Sequence, residues 1–366
     1  MHVLMTADTV GGVWTYTHEL VRGLVRRGHR VTLVSFGGTP SAEQTGWLED
    51  LENLDFHATD YRLEWMQDSA ADISASAAWL HQLINHLRPD LLHFNQYAYG
   101  AIPTSIPKVI VAHSDVVSWW INARNEEPPD NPWLRWYRDL VNEGLRSADM
   151  VIAPSQWMLD SLKTYYATAN QTQVIYNARD AAAFRSVPKE NCVLTVGRLW
   201  DQAKQVTLLA KGTYSVPVYV AGSEAHPESV GAEVAALRSG REVSFLGPMS
   251  SDQLRNLYAK AAIYAGTSCY EPFGLAPLEA ALSSCALLLN DIPSFREIWG
   301  DAACYFERNS AESLAAEIHR LVTNPELRER YGARALERAR TLFNPDRMLN
   351  SYEQVYTSLA SQEVCA

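Results

Sequence analysis

Val193-Leu194-Thr195-Val196-Gly197-Arg198-Leu199 joins four apolar or β-branched residues to a glycine, an arginine and a leucine. A short apolar run closed by glycine fits a strand buried on both faces, with the glycine turning the chain where the strand ends. Runs of the same kind follow at residues 216–221, 243–246, 262–264 and 287–289, separated by stretches of helical period. An equivalent series precedes it at residues 3–5, 31–34, 91–94, 109–112 and 150–153. Within the first series Val13, Tyr16, Leu20 and Leu24 recur at helical spacing before a Gly28-His29 stop. Strands alternating with helices predict βαβ units and parallel sheets, so the chain reads as α/β with two doubly wound domains.

The chain's 366 residues match two domains of about 180 residues each. The expected boundaries are 1–180, 181–345 and a terminal segment 346–366, in which Leu349, Tyr352, Val355, Tyr356 and Leu359 predict a final helix packing back on the first domain. The polar stretch between Asn177 and Pro188 is the hinge candidate. A formal charge of −11 argues against a nucleic-acid partner, which requires a basic footprint. Five cysteines, Cys192, Cys269, Cys285, Cys304 and Cys365, show neither C-x-x-C spacing nor an even count, so no disulfide framework or zinc site is expected. No run reaches the roughly 18 apolar residues of a spanning helix, and the N-terminus enters a strand at once, so a cytoplasmic protein without a transmembrane segment is expected.

Four motifs sit where such folds bind ligands. Gly11 and Gly12, in TADTVGGV, fall between the first strand and first helix, where a backbone can approach a phosphate or sugar closely, or simply turn tightly. The loop lacks G-x-G-x-x-G, which counts against a nicotinamide oxidoreductase. Arg198 and Lys204 follow the strand that opens the second series; a guanidinium fork and an ammonium suit a diphosphate, though two solvated cations would look the same. His113, with Ser114 and Asp115, ends another buried run, as a packed core histidine also would. Finally Glu271-Pro-Phe273-Gly274-Leu275-Ala-Pro-Leu-Glu279 sets two carboxylates eight positions apart around a glycine-centred helix start. Freed N–H groups there face polar ligand atoms and carboxylates accept from sugar hydroxyls, or the acids merely complement the helix dipole.

In order and spacing these motifs resemble the retaining glycosyltransferase family 4 (glycosyl transferases group 1), built on the GT-B architecture of two Rossmann-like domains facing a central cleft. Weaker echoes are ADMVIAPS at 148–155, VIYN at 174–177, FLG at 245–247 and GDAA at 300–303. The resemblance implies transfer of a hexosyl unit from a nucleoside diphosphate sugar to a hydroxyl of a small-molecule or glycan acceptor, with retention. No cofactor would be permanently bound and no metal used, in keeping with the lack of a D-x-D. Arg198 and Lys204 would hold the diphosphate and Glu279 the ribose. Glu271 would face the donor sugar, whose hydroxyls the N–H groups of Phe273, Gly274 and Leu275 would bind. His113 would reach that sugar near its 6-position, Gly11 and Gly12 would close over the phosphates, and Leu246 and Leu254 would border base and ribose. Where the family has Gly and Pro after the second Glu, this chain has Ser283-Ser284-Cys285-Ala286-Leu287, so the helix-to-strand turn there is expected to differ.

The acceptor side is less legible. A loop from Trp119 through Trp136, including Trp120 and Arg124, would offer rings for a sugar or flat aglycone, or pack into the core. A peripheral membrane contact stays open. So do a GT-B relative that epimerises, hydrolyses or phosphorolyses its substrate and a nucleotide-sugar binder without turnover.

Overall fold

The computed structural model describes residues 1–167, 171–224 and 243–363, with side chains to 361. Cys365 and the last residues of the expected terminal helix lie outside them. The chain forms two compact units. Unit 1 comprises residues 1–121, 126–178 and the chain from Pro345 onward; unit 2 comprises Arg179–Asn344 together with Asn122–Asn125.

Unit 1 holds a seven-stranded sheet of β1 (His2–Asp8), β2 (Arg30–Phe36), β3 (Leu54–Ala58), β4 (Leu91–Phe94), β5 (Lys108–Val111), β6 (Met150–Ala153) and β7 (Thr172–Val174). Their order is β3-β2-β1-β4-β5-β6-β7, with every pairing parallel. Alternate residues of β1 enter opposite layers: Leu4 packs with Val34, Leu92 and Ile110, whereas Val3 and Met5 pack with Val31, Leu33 and Val109. Both faces are apolar because both are covered, as a parallel sheet requires.

The second layer is closed by helices Gly12–Arg26 and Pro345–Glu363. Met348, Leu349, Tyr352, Val355, Tyr356 and Leu359 of the latter are buried against the strand residues Val3, Val31 and Leu91. Side chains of this size are each worth about 1.5–3 kcal/mol when fully buried. The two helices touch so closely at Gly23 that a Cβ there would lie 2.3 Å from Leu349 Cδ1. Inside the layer the Tyr16 hydroxyl donates to Tyr352 (2.7 Å), leaving Tyr16 to accept from His93 Nε2 (3.3 Å) while His93 Nδ1 accepts from Tyr356 (2.6 Å). Burial drives the His93 imidazole down to about 3, so the network is neutral.

Unit 2 holds β8 (Glu190–Val196), β9 (Val218–Ala221), β10 (Val243–Gly247), β11 (Ala261–Gly266), β12 (Ala286–Asn290) and β13 (Cys304–Phe306) in the parallel order β10-β9-β8-β11-β12-β13. In each sheet the first strand stands between two others, and chain order reverses beside it, between β1 and β4 and between β8 and β11. Ligands of doubly wound sheets bind outside the carboxyl ends of the strands at such a reversal.

Two sequence expectations need amending. Trp119 and Trp120 lie on a helix, Val116–Arg124, and Trp133 and Trp136 on a second, Pro132–Ser147, so the irregular stretch is only 125–131. Asn131 caps the second helix by accepting from Leu134 N, with Pro132 at its first position. The turn after Glu279 keeps the left-handed residue that glycine usually supplies: Ser284 takes φ 63° there. Ser284 N donates to Ala281 O and Cys285 N to Ala280 O, the paired bonds of a Schellman motif.

Candidate functional site

The carboxyl end of β8 runs through Gly197 into Arg198, and that of β11 through Gly266 into the loop 267–274. Gly197 N donates to Ala221 O, and Gly222 N to Gly247 O, so the ends of β8, β9 and β10 are tied edge to edge. The approach is close: a Cβ on Gly222, whose φ is +144°, would fall 1.7 Å from Gly197 O. Only glycine permits this seam.

Beyond the seam the chain makes a short 3-10 turn, Gln202–Lys204, whose start Asp201 caps by accepting from Ala203 N (3.0 Å). The β11 loop is fastened to that turn. Cys269 N donates to Ala203 O (2.9 Å) and Thr267 Oγ1 to Lys204 O (2.6 Å). From the next strand Asn290, fully buried, donates to Ser268 O (3.1 Å) and Asn309 Oδ1 (2.8 Å) and accepts from Asn309 N (2.9 Å). This scaffold brings Lys204 and Glu271 together: Nζ stands 2.5 Å from Oε2, which also accepts from Ser268 Oγ at 3.0 Å.

Arg198 pairs with buried Asp201 at 2.8 Å and lies over the Trp200 ring, 5.1 Å from its centroid, with 39% of its side chain exposed. Gly274, at φ +90°, starts the helix Leu275–Leu282; a Cβ there would press on Glu271 Cγ and Pro277, so the glycine fixes where Glu271 stands against the helix start. Phe273 is buried in the core and Leu275 opens the helix.

One turn before the end of that helix, Glu279 Oε1 lies 2.9 Å from Arg179 Nε, with side chains 15% and 10% exposed. Tyr264, buried beneath, ties the two carboxylates into one neighbourhood. Burial holds its phenol well above the ordinary value, and the charges of Glu271 and then Glu279 raise it further. Each cation here therefore has its own carboxylate: Arg198 with Asp201, Lys204 with Glu271, Arg179 with Glu279. The exposed Arg198 pair contributes about 0–1 kcal/mol. The two shielded pairs matter by omission, because deleting one partner of a buried pair costs about 3–5 kcal/mol.

At the unit 1 reversal an imidazole and amide network stands among carboxyl groups. Gly11 (φ 88°) caps the helix Gly12–Arg26 beside Asp8, whose Oδ1 accepts from Val10 N (2.5 Å). His113, partly buried, bonds through Nε2 to Asn95 Oδ1 (2.8 Å), and Asn95 donates to Thr6 O (2.6 Å). With the amide oxygen facing it, Nε2 carries the proton and Nδ1 is left as the acceptor. The ring stands edge-on to Tyr16, 4.6 Å between centroids, and burial, helped by His93, lowers its pKa to about 3. Asp115 is turned inward: its Oδ1 accepts from Ser118 N (2.8 Å) and from Tyr166 OH (2.9 Å).

Leu246 lies in β10 and Leu254 on the helix Ser251–Lys260, both partly exposed. Trp119 and Trp120 meet edge to face at 6.2 Å. Arg124, at the end of their helix, belongs to the segment that groups with unit 2. Arg179, Asp201, Gly222 and Asn290 were not singled out in the sequence. Asn290 and Gly222 could have been, since each stands at or just past a strand's carboxyl end; Arg179 carries no motif at all. Among the described residues no three His, Cys, Asp or Glu side chains could together hold a metal ion, and no helix is long and apolar enough to cross a membrane.

Comparison with known proteins bears on this arrangement. The family model Glycosyltransferase Family 4 matches residues 10–183 and Glycosyl transferases group 1 matches residues 177–338. The O-antigen chain mannosyltransferase RfbU of Salmonella typhimurium is 28% identical over 204 residues, 54% of this chain and 57% of that protein. O-antigen chain mannosyltransferase C of Escherichia coli is 24% identical over 98% of both chains. Among solved structures, Anabaena HepE in complex with UDP and glucose superposes with a TM-score of 0.75 at 18% identity, covering 98% of this chain and 100% of that one. The chain belongs to glycosyltransferase family 4, the glycosyl transferases group 1, and is a glycosyltransferase of GT-B architecture.

Proposed function

We propose that the protein moves a hexosyl unit from a nucleoside diphosphate sugar to a hydroxyl acceptor with retention, using Arg198 and Lys204 rather than a bound metal to neutralise the departing diphosphate. The observation that carries this reading is the pairing of Lys204 with Glu271 across the ends of β8 and β11, with Arg198 and its partner Asp201 on the chain between β8 and Lys204. Two cations held before the substrate arrives cost no reorganisation when charge develops on the leaving oxygen. Glu271, tied to an ammonium and a hydroxyl, is a positioning and electrostatic group rather than a glycosidase-type nucleophile. Such a nucleophile would need an acid partner about 5–5.5 Å away across the sugar. The diphosphate itself, on the same face, takes the acceptor proton.

On this reading unit 2 holds the donor, with Glu279 at the ribose, Leu246 and Leu254 at the base, and the N–H groups of 273–275 at the sugar. Unit 1 takes the acceptor, a small molecule or glycan, and contributes neutral His113 through its Nδ1 acceptor together with the Gly11-Gly12 backbone. The stretch from Asn177 to Pro188 serves as the hinge. Support for a nucleotide sugar comes from the relatives: HepE was solved with UDP and glucose, and the two O-antigen enzymes are named mannosyltransferases. Cys192, Cys269, Cys285 and Cys304 are buried free thiols, in keeping with the cytoplasm. A thermal-shift screen of nucleoside diphosphates and their sugars tests the donor assignment. A ligand at 100 times its Kd stabilises by about 2.7 kcal/mol. The reading requires a shift with one diphosphate series that Lys204→Ala abolishes; a flat screen, or an equal shift in the variant, overturns it.

A further inference from the structure

Arg179 is the first residue of unit 2, and its backbone N donates to Phe343 O (3.2 Å), two positions before the chain returns to unit 1. Its guanidinium lies over the Phe184 ring, 5.4 Å from the centroid, and the residue is only 8% exposed. An arginine so enclosed has a fixed position, and its guanidinium forms an ion pair with Glu279, Nε standing 2.9 Å from Oε1. A free glutamate turns about three side-chain bonds and would lose that freedom on binding a ligand. One already paired with a fixed arginine has lost part of that freedom beforehand. Nothing in the motif around Glu279 asks for this clamp, which comes from a distant part of the sequence.

We propose that Arg179 is a positioning residue for the donor's ribose: by holding the Glu279 carboxylate it orients that group toward the ribose hydroxyls, and so sets the preference for ribonucleotides over deoxyribonucleotides. The proposal rests on the reading of Glu279 as the ribose-side acid. Arg179 touches no substrate in this account. A purely structural strut at the entry to unit 2 would lower stability, or weaken all nucleotides alike. A positioning role changes the ratio between two nucleotides that differ by a single hydroxyl. Sites built to bond a hydroxyl discriminate strongly against the analogue lacking it, because the buried group is then left unpaired.

The experiment is calorimetric titration of the full chain with UDP and 2′-deoxyuridine 5′-diphosphate, with the guanosine and adenosine pairs run in parallel. The unaltered protein should favour a ribonucleotide by about tenfold or more, and Glu279→Gln should bring that ratio close to one. Arg179→Gln should do the same, while Arg179→Lys, which keeps a charge near Oε1, should recover most of the preference. If Glu279→Gln collapses the ratio and Arg179→Gln leaves it intact, the ribose assignment stands and the proposal is overturned. If the unaltered protein shows no preference, or Glu279→Gln leaves it unchanged, the ribose assignment fails and the proposal with it. Should Arg179→Gln not fold, the double variant Arg179→Gln/Glu279→Gln is compared with Glu279→Gln alone. Affinities within about twofold show that Arg179 acts only through Glu279, and a further loss overturns the proposal.

Discussion

The two sheet reversals share a topology and differ in chemistry. In unit 2 the loops after β8 and β11, with the helix Leu275–Leu282, gather three cations and three carboxylates in matched pairs. In unit 1 the ends of β1, β4 and β5 present a neutral imidazole, an amide and a threonine carbonyl joined by hydrogen bonds, together with the carboxyl groups of Asp8 and Asp115. The fold determines where a ligand can bind, and the side chains determine its class. Charge is concentrated at the unit 2 reversal, where the proposed function puts the diphosphate. The unit 1 reversal, with its acceptors and carboxyl groups, suits hydroxyl groups, whose recognition needs direction more than net charge.

The sharpest way to break the comparison is to destroy one reversal and keep the other. Gly222→Ala drives a methyl into Gly197 O at a φ that side chains avoid, and should destabilise unit 2 by at least about 3 kcal/mol. Denaturant unfolding followed by tyrosine and tryptophan fluorescence should show an early transition, with the stability of unit 1 little changed. A Gly222→Ala protein that unfolds like the parent would show that the strand-end seam is looser than drawn.

Next come substitutions at single groups of each site, compared as turnover of the folded protein. Glu271→Gln removes the charge that holds Lys204 and should lower kcat by about a hundredfold or more, equivalent to about 2.7 kcal/mol. His113→Gln, at the unit 1 reversal, removes one hydrogen-bonding group and should cost nearer tenfold. Steady-state rates with a confirmed donor decide the order. Equal losses would mean that the unit 1 site contributes as much to the transition state as the cation-bearing unit 2 site.

Unit 1 also predicts its own pH dependence. His93 and His113 are held near 3 by burial, far below the ordinary value of 6.5. Unfolded, they take up protons below about pH 6.5; folded, they do not, so the stability they contribute is present above 6.5 and is lost as pH falls toward 3. Glu64 works the other way. It is buried, and although it accepts from Tyr97 N and Ala98 N, burial still raises its carboxyl to about 7. Its contribution is complete below about 4.5 and is lost as pH rises through 7. Glu64→Gln removes the opposing slope, so the variant should lose stability on acidification from 6.5 to 4.5 more steeply than the parent, by up to about 1.4 kcal/mol per pH unit. Parallel slopes in urea titrations at pH 6.5 and 5 would contradict the assignment to Glu64.

What the sequence showed and what it hid divide along physical lines. Central strands β1, β2, β4, β5 and β6, and β8, β9, β11 and β12, are buried on both faces and stand out as unbroken apolar runs. Three of the four edge strands do not. β3 (LDFHA) is exposed or half-exposed along its length, and β7 (TQV) and β13 (CYF) have only three residues each. The site divides in the same way. Gly274, Glu271 and Lys204 belong to local patterns with a stated chemistry and Asn290 at least ends a strand, whereas Arg179 acts through a partner 100 positions away. Spacing along the chain cannot reveal a contact that exists only after the sheet has formed.

Ser284 is a local feature whose cost is still visible. The motif that ends the helix Leu275–Leu282 needs a left-handed residue after the cap, and Ser284 supplies it at φ 63° where glycine would meet no Cβ penalty. The left-handed conformation costs an L-residue roughly 1–2 kcal/mol, and glycine gives back part of the gain through its greater freedom in the unfolded chain. Ser284→Gly should therefore stabilise unit 2 by about 0.5–1 kcal/mol, the smallest effect predicted here. The turn is also packed from outside: a Cβ on Gly332, in the helix Pro325–Leu342, would lie 2.8 Å from Ser284 O. The backbone is thus pinned in place, and the substitution should relieve strain without moving Glu279. Donor affinity should stay within about twofold of the parent while the unfolding midpoint rises. A variant that gains stability but loses donor affinity would show that the strain at Ser284 helps to hold the donor-side wall, tying the charged reversal to the turn beneath it.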